Sequence, residues 1–185
     1  MPDVAEFTPQ DVIRFWFEEI DPKKWWAAEP AFDQTVATRF GPLHLQAAQG
    51  ELSAWRTGAP GRLAEIIVLD QFSRNIFRNQ PRAFAQDAMA LALAQEAIGV
   101  QADEALAPHQ RSFLYLPFMH SESALIHVQA ERLYRLLGAE GNYKFELRHK
   151  AIIDRFGRYP HRNAVLGRAS TAEEIDFLAQ PGSHF

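Results

Sequence analysis

The stretch from Ser121 to Gly157 reads as two helices punctuated at both ends. "SESALIHVQAERLYRLLG" starts on a serine and stops at Gly138, and "NYKFELRHKAIIDRFG" repeats the plan from Asn142 to Gly157. Serine or asparagine at the start and glycine at the stop satisfy backbone groups that a helix leaves unpaired at its ends. With so short a connection the two helices must turn back on each other as an antiparallel pair.

The same punctuation recurs along the chain. "TPQDVIRFWFEEI" offers Thr8 as N-cap, Pro9 at the first helical position and Asp11 three residues after the cap, close to a capping box. A second helix is predicted from about Pro30 to Gly50, disturbed at Gly41–Pro42. "TGAPG" (57–61) is a loop, and "RLAEIIVLDQFSRNIF" after it a third helix. "AEIIVL" has strand-like composition, but its flanks and spacing favour a helix. "PRAFAQDAMALALAQEAIG" predicts a helix from Pro81 to a stop at Gly99. "PHQRSFLYLPFMH" predicts a helix that breaks or kinks at Pro117, and "STAEEIDFLAQPG" one capped by Ser170 with Glu173 three residues on. About eight helices with short connections and no strand give an all-α fold of antiparallel helix pairs, one domain over residues 1–185. The chain has no clean internal repeat.

Composition narrows the function. A hydrophobic share of 47% in 185 residues supports a real core. Cysteine is absent, which removes disulfides, thiol nucleophiles and cysteine-based zinc sites. "MPDVAEFTPQ" lacks the basic start and apolar run of a secretory signal, and "AMALALA" is far short of the ~20 residues of a membrane span. The expectation is a cytoplasmic protein that does not engage membranes. A net charge of −4 and a pI near 6.0 argue against nucleic acid as a partner. The charge is uneven: residues 1–33 hold eight acids against three bases, residues 144–168 seven bases against two acids. Such asymmetry suits an anion site at the basic end, or two ends that pair with each other.

Three polar clusters lie in apolar surroundings. In "LDQFSRNIFR" (69–78) the helical period puts Asp70 one turn before Arg74, among Leu63, Ile66, Ile67 and Phe77. A charge buried there must be paired, so Asp70 is a structural ion-pair candidate and Arg74 either its partner or a ligand contact. "LPFMHSES" (116–123) brings His120, Ser121 and Glu122 ahead of a new helix. No metal-ligand spacing accompanies them, and no metal or cofactor is expected. In the third, His149 shares a face with Phe145, Ile152, Ile153 and Phe156, and "FGRYPHRN" (156–163) follows. Arg158 and Arg162 offer planar forks for carboxylate or phosphate, and Pro160 steadies His161 and Arg162. Asp154 is a second ion-pair candidate. The pairs "RFWF" (14–17) and "KKWW" (23–26) read as core and helix cover.

"LDQFSRNIFR" with "PRAFAQDA", "LPFMHSE" and "RFGRYPHRN…LGRAST…EE…FL" together resemble the uncharacterised bacterial family known as domain of unknown function 924. The resemblance spans nearly the whole chain. It departs at Ser73, where the family pattern has proline. It implies stacked helix hairpins in a right-handed superhelix similar to tetratricopeptide repeats, and no particular reaction. Its motif polar residues fall on Asp70, Arg74, Asn75, Arg78, Arg82, His120, Glu122, His149, Arg158, His161, Arg162 and Asn163.

Three readings compete. The first is a binding module that holds an anionic small molecule or peptide carboxylate with Arg74, Asn75, Arg78, Arg158, Arg162 and Asn163. The second is a hydrolase or lyase acting on an anionic small molecule, with His120, His149 or His161 moving protons and Glu122 or Asp154 orienting one of them. No nucleophile elbow, P-loop or dinucleotide fingerprint accompanies that set. In the third, the clusters are one buried network that ties helices together. The readings divide on whether the arginines converge on open space or on carboxylates.

Overall fold

The computed structural model describes residues 7–183. The first six residues, part of the stretch in which a secretory signal was sought, lie outside them. Among the described residues the structure is all-helical, with no strand. The helices are α1 (Pro9–Arg14), α2 (Pro30–Ala48), α3 (Ala59–Ile67), α4 (Ser73–Ile76), α5 (Asp87–Gly99), α6 (Pro108–Met119), α7 (Ala124–Leu137), α8 (Glu140–Phe156) and α9 (Ala172–Leu178). A wide π turn, Val68–Phe72, joins α3 to α4 without a break, and another, Phe15–Glu19, extends α1. Counting each as one rod gives the eight helices read from the sequence.

Local chemistry explains most of the boundaries. Asp11 reaches back at the start of α1, accepting from the Thr8 N–H at 2.9 Å and the Thr8 hydroxyl at 2.7 Å. Gly138 and Gly157 end α7 and α8 with φ of +75° and +69°, the left-handed turn that glycine adopts without a Cβ penalty. "AEIIVL" is helical throughout.

Several local expectations need correction. Asn142 lies inside α8, which follows Ala139, and residues 59–61 of "TGAPG" already belong to α3. Pro42 and Pro117 interrupt nothing: α2 and α6 run through them, each tolerating one missing N–H inside a packed helix. Residues Pro81–Phe84 form a short 3-10 turn, and α5 starts only at Asp87. The cap of α9 is Thr171, paired with Glu174, one residue later than expected. Ser170 is otherwise engaged, because its hydroxyl accepts from Asn163 Nδ2 at 3.0 Å.

Two apolar clusters hold the helices. The large one joins α1 to α7 and is rich in rings: Phe15, Trp16, Phe32, Phe40, Phe72 and Phe113 are all buried. Each such side chain contributes ~1.5–3 kcal/mol on burial. Trp25 donates its indole N–H to the Trp16 carbonyl at 2.8 Å, while Trp26 stays 63% exposed and stacks on Phe113. The small cluster is Ile152, Ile153 and Tyr159, with Phe156 and Phe177 against it. Successive helices α6, α7 and α8 pack side by side, as do α5 and α6. Helix α3 meets α1, α5 and α6, so it runs through the middle and carries Asp70 into the interior. No helix among the described residues is long and apolar enough to cross a membrane.

Candidate functional site

The polar clusters meet around the π turn. There Asp70, buried, accepts from Gln71 Nε2 at 2.6 Å and lies 2.8 Å from His120 Nδ1. Arg74, one turn on, sits 3.0 Å from the same carboxylate and donates to the Asp70 carbonyl at 2.9 Å. Its two terminal nitrogens also clasp Asp87 at 3.0 and 3.1 Å. Arg162 arrives from the far end of the chain, donating to Asp87 at 3.3 Å and to the His120 carbonyl at 3.0 Å. Its guanidinium lies between the rings of Phe84 and Tyr159, each 4.6 Å away. Two arginines and two carboxylates thus interlock around one histidine.

Electrostatics set the protonation of this group. Burial alone pushes the Asp70 carboxyl up, but Arg74 and His120 outweigh it and hold the carboxyl well below the usual range. Burial and then Arg74 push His120 down, against the pull of Asp70, so its ring is neutral at pH 7. An ionised Asp70 accepts from a protonated Nδ1, which orients the imidazole and makes Nε2 its basic nitrogen.

Tyr159 is a second centre. Its hydroxyl donates to the Met119 carbonyl at 2.5 Å and lies 3.1 Å from His127 Nε2. The rings of His127, His149 and His161 stand 6.2, 5.7 and 5.5 Å from its own. His127 Nε2 also reaches the Ser121 carbonyl at 2.8 Å, and Nδ1 meets Glu146 at 2.7 Å, with both side chains fully buried. Burial raises the Glu146 carboxyl, opposed by His127. His149 Nδ1 donates to the Phe145 carbonyl at 2.8 Å, and burial drives this histidine down to about 3. It is a neutral core histidine at pH 7.

The remaining candidates disperse. Glu122 is held by the fork of Arg168 and by the Tyr159 N–H at 2.7 Å, so it orients no histidine. Arg158 pairs with Glu174 through two hydrogen bonds of 2.6 and 2.8 Å. Asn163 ties Ser170 to Arg168. Asn75 and Arg78 share Asp33 of α2, at 2.8 Å each, apart from the Asp70–Asp87 network. Asp154 leaves the network altogether: it pairs with Lys150 one turn away on the surface of α8. The clusters at 70–74, 120 and 162 therefore do converge, but on carboxylates.

Sequence reasoning missed Asp87, Arg168, Glu174 and the His127–Glu146 pair. Asp87 looked like an ordinary first-turn acid, and its role depends on a loop 75 residues away. His127 and Glu146 each sit on a regular amphipathic helix, and only the packing of α7 against α8 reveals the pair. Among the described residues no three metal-ligating side chains are grouped to hold an ion.

Open space lies elsewhere, on one face of α2. A groove of about 290 Å³ is lined by Asp33, Gln34, Asn75 and Arg78, and a pocket of about 250 Å³ by Gly41, His44, Phe77 and Arg82. The α2 positions 30, 33, 34, 37, 41, 44, 45 and 48 in these linings form one helical stripe. The chain segment 75–86 runs beside it.

No curated protein matches the chain. A solved structure of a protein of unknown function from Agrobacterium tumefaciens is similar over 92% of this chain and 96% of its own, at 38% identity and a TM-score of 0.88. The family described as bacterial protein of unknown function (DUF924) matches residues 12–182. With that span and that neighbour, the chain belongs to this bacterial family of unknown function.

Proposed function

We propose that the chain is a binding module for an anionic small molecule or a peptide carboxylate, in which the buried arginine network is the frame and the α2 face the contact surface. The observation that supports this is how the arginines are spent. Arg74, Arg78, Arg158 and Arg162 each already hold a carboxylate, and an arginine so neutralised has little charge left for a ligand. Two open grooves lie along α2, and motif residues Asn75, Arg78 and Arg82 border them. The expected setting is the cytoplasm, with neither nucleic acid nor membrane as partner. A thermal-shift panel of small carboxylates and phosphates tests the reading. Several should raise the melting temperature of the wild type, and Arg162→Lys should lower that temperature while keeping the ligand shifts. A panel with no shift removes the reading.

A hydrolase or lyase is the second reading, and one observation favours it. The Asp70–His120 pair, with its neutral imidazole, has the arrangement of an oriented general base. In that reading His120 moves the proton and Asp70 orients it, while Glu122, His149 and His161 serve the frame. Retained ligand binding in His120→Gln, with no turnover of any bound anion by the wild type, would leave the binding reading alone.

A further inference from the structure

Arg82 differs from the other motif arginines. Arg74, Arg78, Arg158 and Arg162 each meet an acid, but among the described residues Arg82 meets none. Its guanidinium lies over the Phe77 ring, 3.8 Å from the centroid. Such stacking fixes the plane of the fork but uses none of its five N–H donors. The side chain is exposed and forms one wall of the 250 Å³ pocket.

The neighbours fit the same purpose. The Ser73 hydroxyl donates to the Leu69 carbonyl at 2.6 Å, so its oxygen accepts from His44 Nε2 at 2.7 Å. The His44 ring also packs edge-on against Phe77, 5.2 Å between centroids, which steadies the ring under Arg82. Burial and then Arg82 push the His44 pKa down, so His44 is neutral at pH 7 and the charge at this pocket wall is that of Arg82. Gln86 adds an amide, while Leu45 and Phe77 supply apolar wall. Gly41 lies on the α2 side, where an added Cβ would find nothing within 4 Å. A glycine mid-helix is unfavourable on propensity alone, and here its missing side chain leaves the pocket open.

We infer that this pocket is a seat for a small oxyanion, with the Arg82 fork taking a carboxylate or phosphate edge-on and the Leu45–Phe77 wall taking the ligand's carbon skeleton. The volume lies below the ~300–1,000 Å³ of drug-sized sites, so the ligand is a small acid or the terminal residue of a peptide. The inference rests on the binding-module reading and narrows it to one place.

Isothermal titration of the full chain with benzoate, inorganic phosphate and the uncharged control benzamide tests it. Benzoate or phosphate should bind and benzamide should not. Arg82→Lys should weaken binding about tenfold, because an ammonium has no fork. Gly41→Leu, which fills the pocket from an unrelated position, should abolish binding while the melting temperature holds. Acetylphenylalanine and its amide separate the sources. Tighter binding of acetylphenylalanine than of benzoate points to a peptide carboxylate, the reverse to a free acid, and both support the seat. Wild-type affinity in Arg82→Ala and in Gly41→Leu overturns the seat but leaves the binding module with its site elsewhere. Absence of anion binding by the wild type overturns both.

Discussion

Glu122 and Arg168 form a two-point clamp, Oε2 to Nη1 at 2.6 Å and Oε1 to Nη2 at 2.9 Å, across 46 residues of chain. The same carboxylate accepts the Tyr159 N–H, so one acid anchors the C-terminal loop at two places. Each partner is about a quarter exposed, which discounts the cost of breaking the pair below that of a fully buried one. Glu122→Gln and Arg168→Ala should each lower unfolding free energy by about 1–3 kcal/mol in urea titrations. The double variant should lose less than the sum, since both remove one interaction.

Asp87 and Asp154 make a paired comparison. Asp87 serves two arginines, one of them almost fully buried, whereas Asp154 serves one lysine at the surface. Asp87→Asn should cost about 2–4 kcal/mol because it strands buried charge. Asp154→Asn should cost no more than ~0.5 kcal/mol. Equal losses in chemical denaturation would contradict the assignment of the network to 70–74, 87, 120 and 162.

Gly61 and Gly41 should respond in opposite ways to alanine. A Cβ on Gly61 would lie 1.9 Å from the Trp55 carbonyl oxygen, where α3 presses on the turn before it. Gly61→Ala should therefore destabilise by about 1–3 kcal/mol. Gly41→Ala meets only open space and should stabilise by ~0.5–1 kcal/mol through helix propensity. Melting curves of the two single variants suffice.

Stability should fall as pH drops below neutrality. His149 is held neutral down to about 3 in the folded protein, while an unfolded histidine takes up its proton near 6.5. Between those values the unfolded state binds more protons, so stability rises with pH and is lost on acidification from about 6.5 downward. The loss from His149 alone is about 2 kcal/mol between pH 7 and pH 5. His44 and His120, also lowered by burial, act in the same direction. His149→Gln should flatten the pH profile of the urea midpoint over that interval, and an unchanged slope would refute the neutral-histidine assignment.

Helix identity was legible because it is local. Thr8, Gly138 and Gly157 carry their own geometry, and the apolar period carries the rest. The pairing of Asp70 with Arg74 was legible for the same reason, being one turn of one helix. What failed was anything that depends on a distant partner. Pro117 looks like a break until the packed neighbours of α6 are known, and Ser170 looks like a cap until Asn163 claims its hydroxyl. The arginines of "FGRYPHRN" announced an anion. Nothing near them in sequence says that the anions are Asp87 and Glu174 of the same chain.

The small apolar cluster at Ile152, Ile153 and Tyr159 has a kinetic side. It is much smaller than the main core, and residues 157–178 are secured around it largely by Arg158–Glu174, Arg162–Asp87 and Arg168–Glu122. The Arg158–Glu174 and Arg168–Glu122 pairs, whose arginines are about a quarter exposed or more, are screened by salt, whereas apolar burial and the almost fully buried Arg162 are screened far less. The C-terminal segment should then open as a unit of its own, its amides exchanging with solvent earlier than those of α3 and α6 and faster at high salt, which hydrogen exchange at two salt concentrations would read.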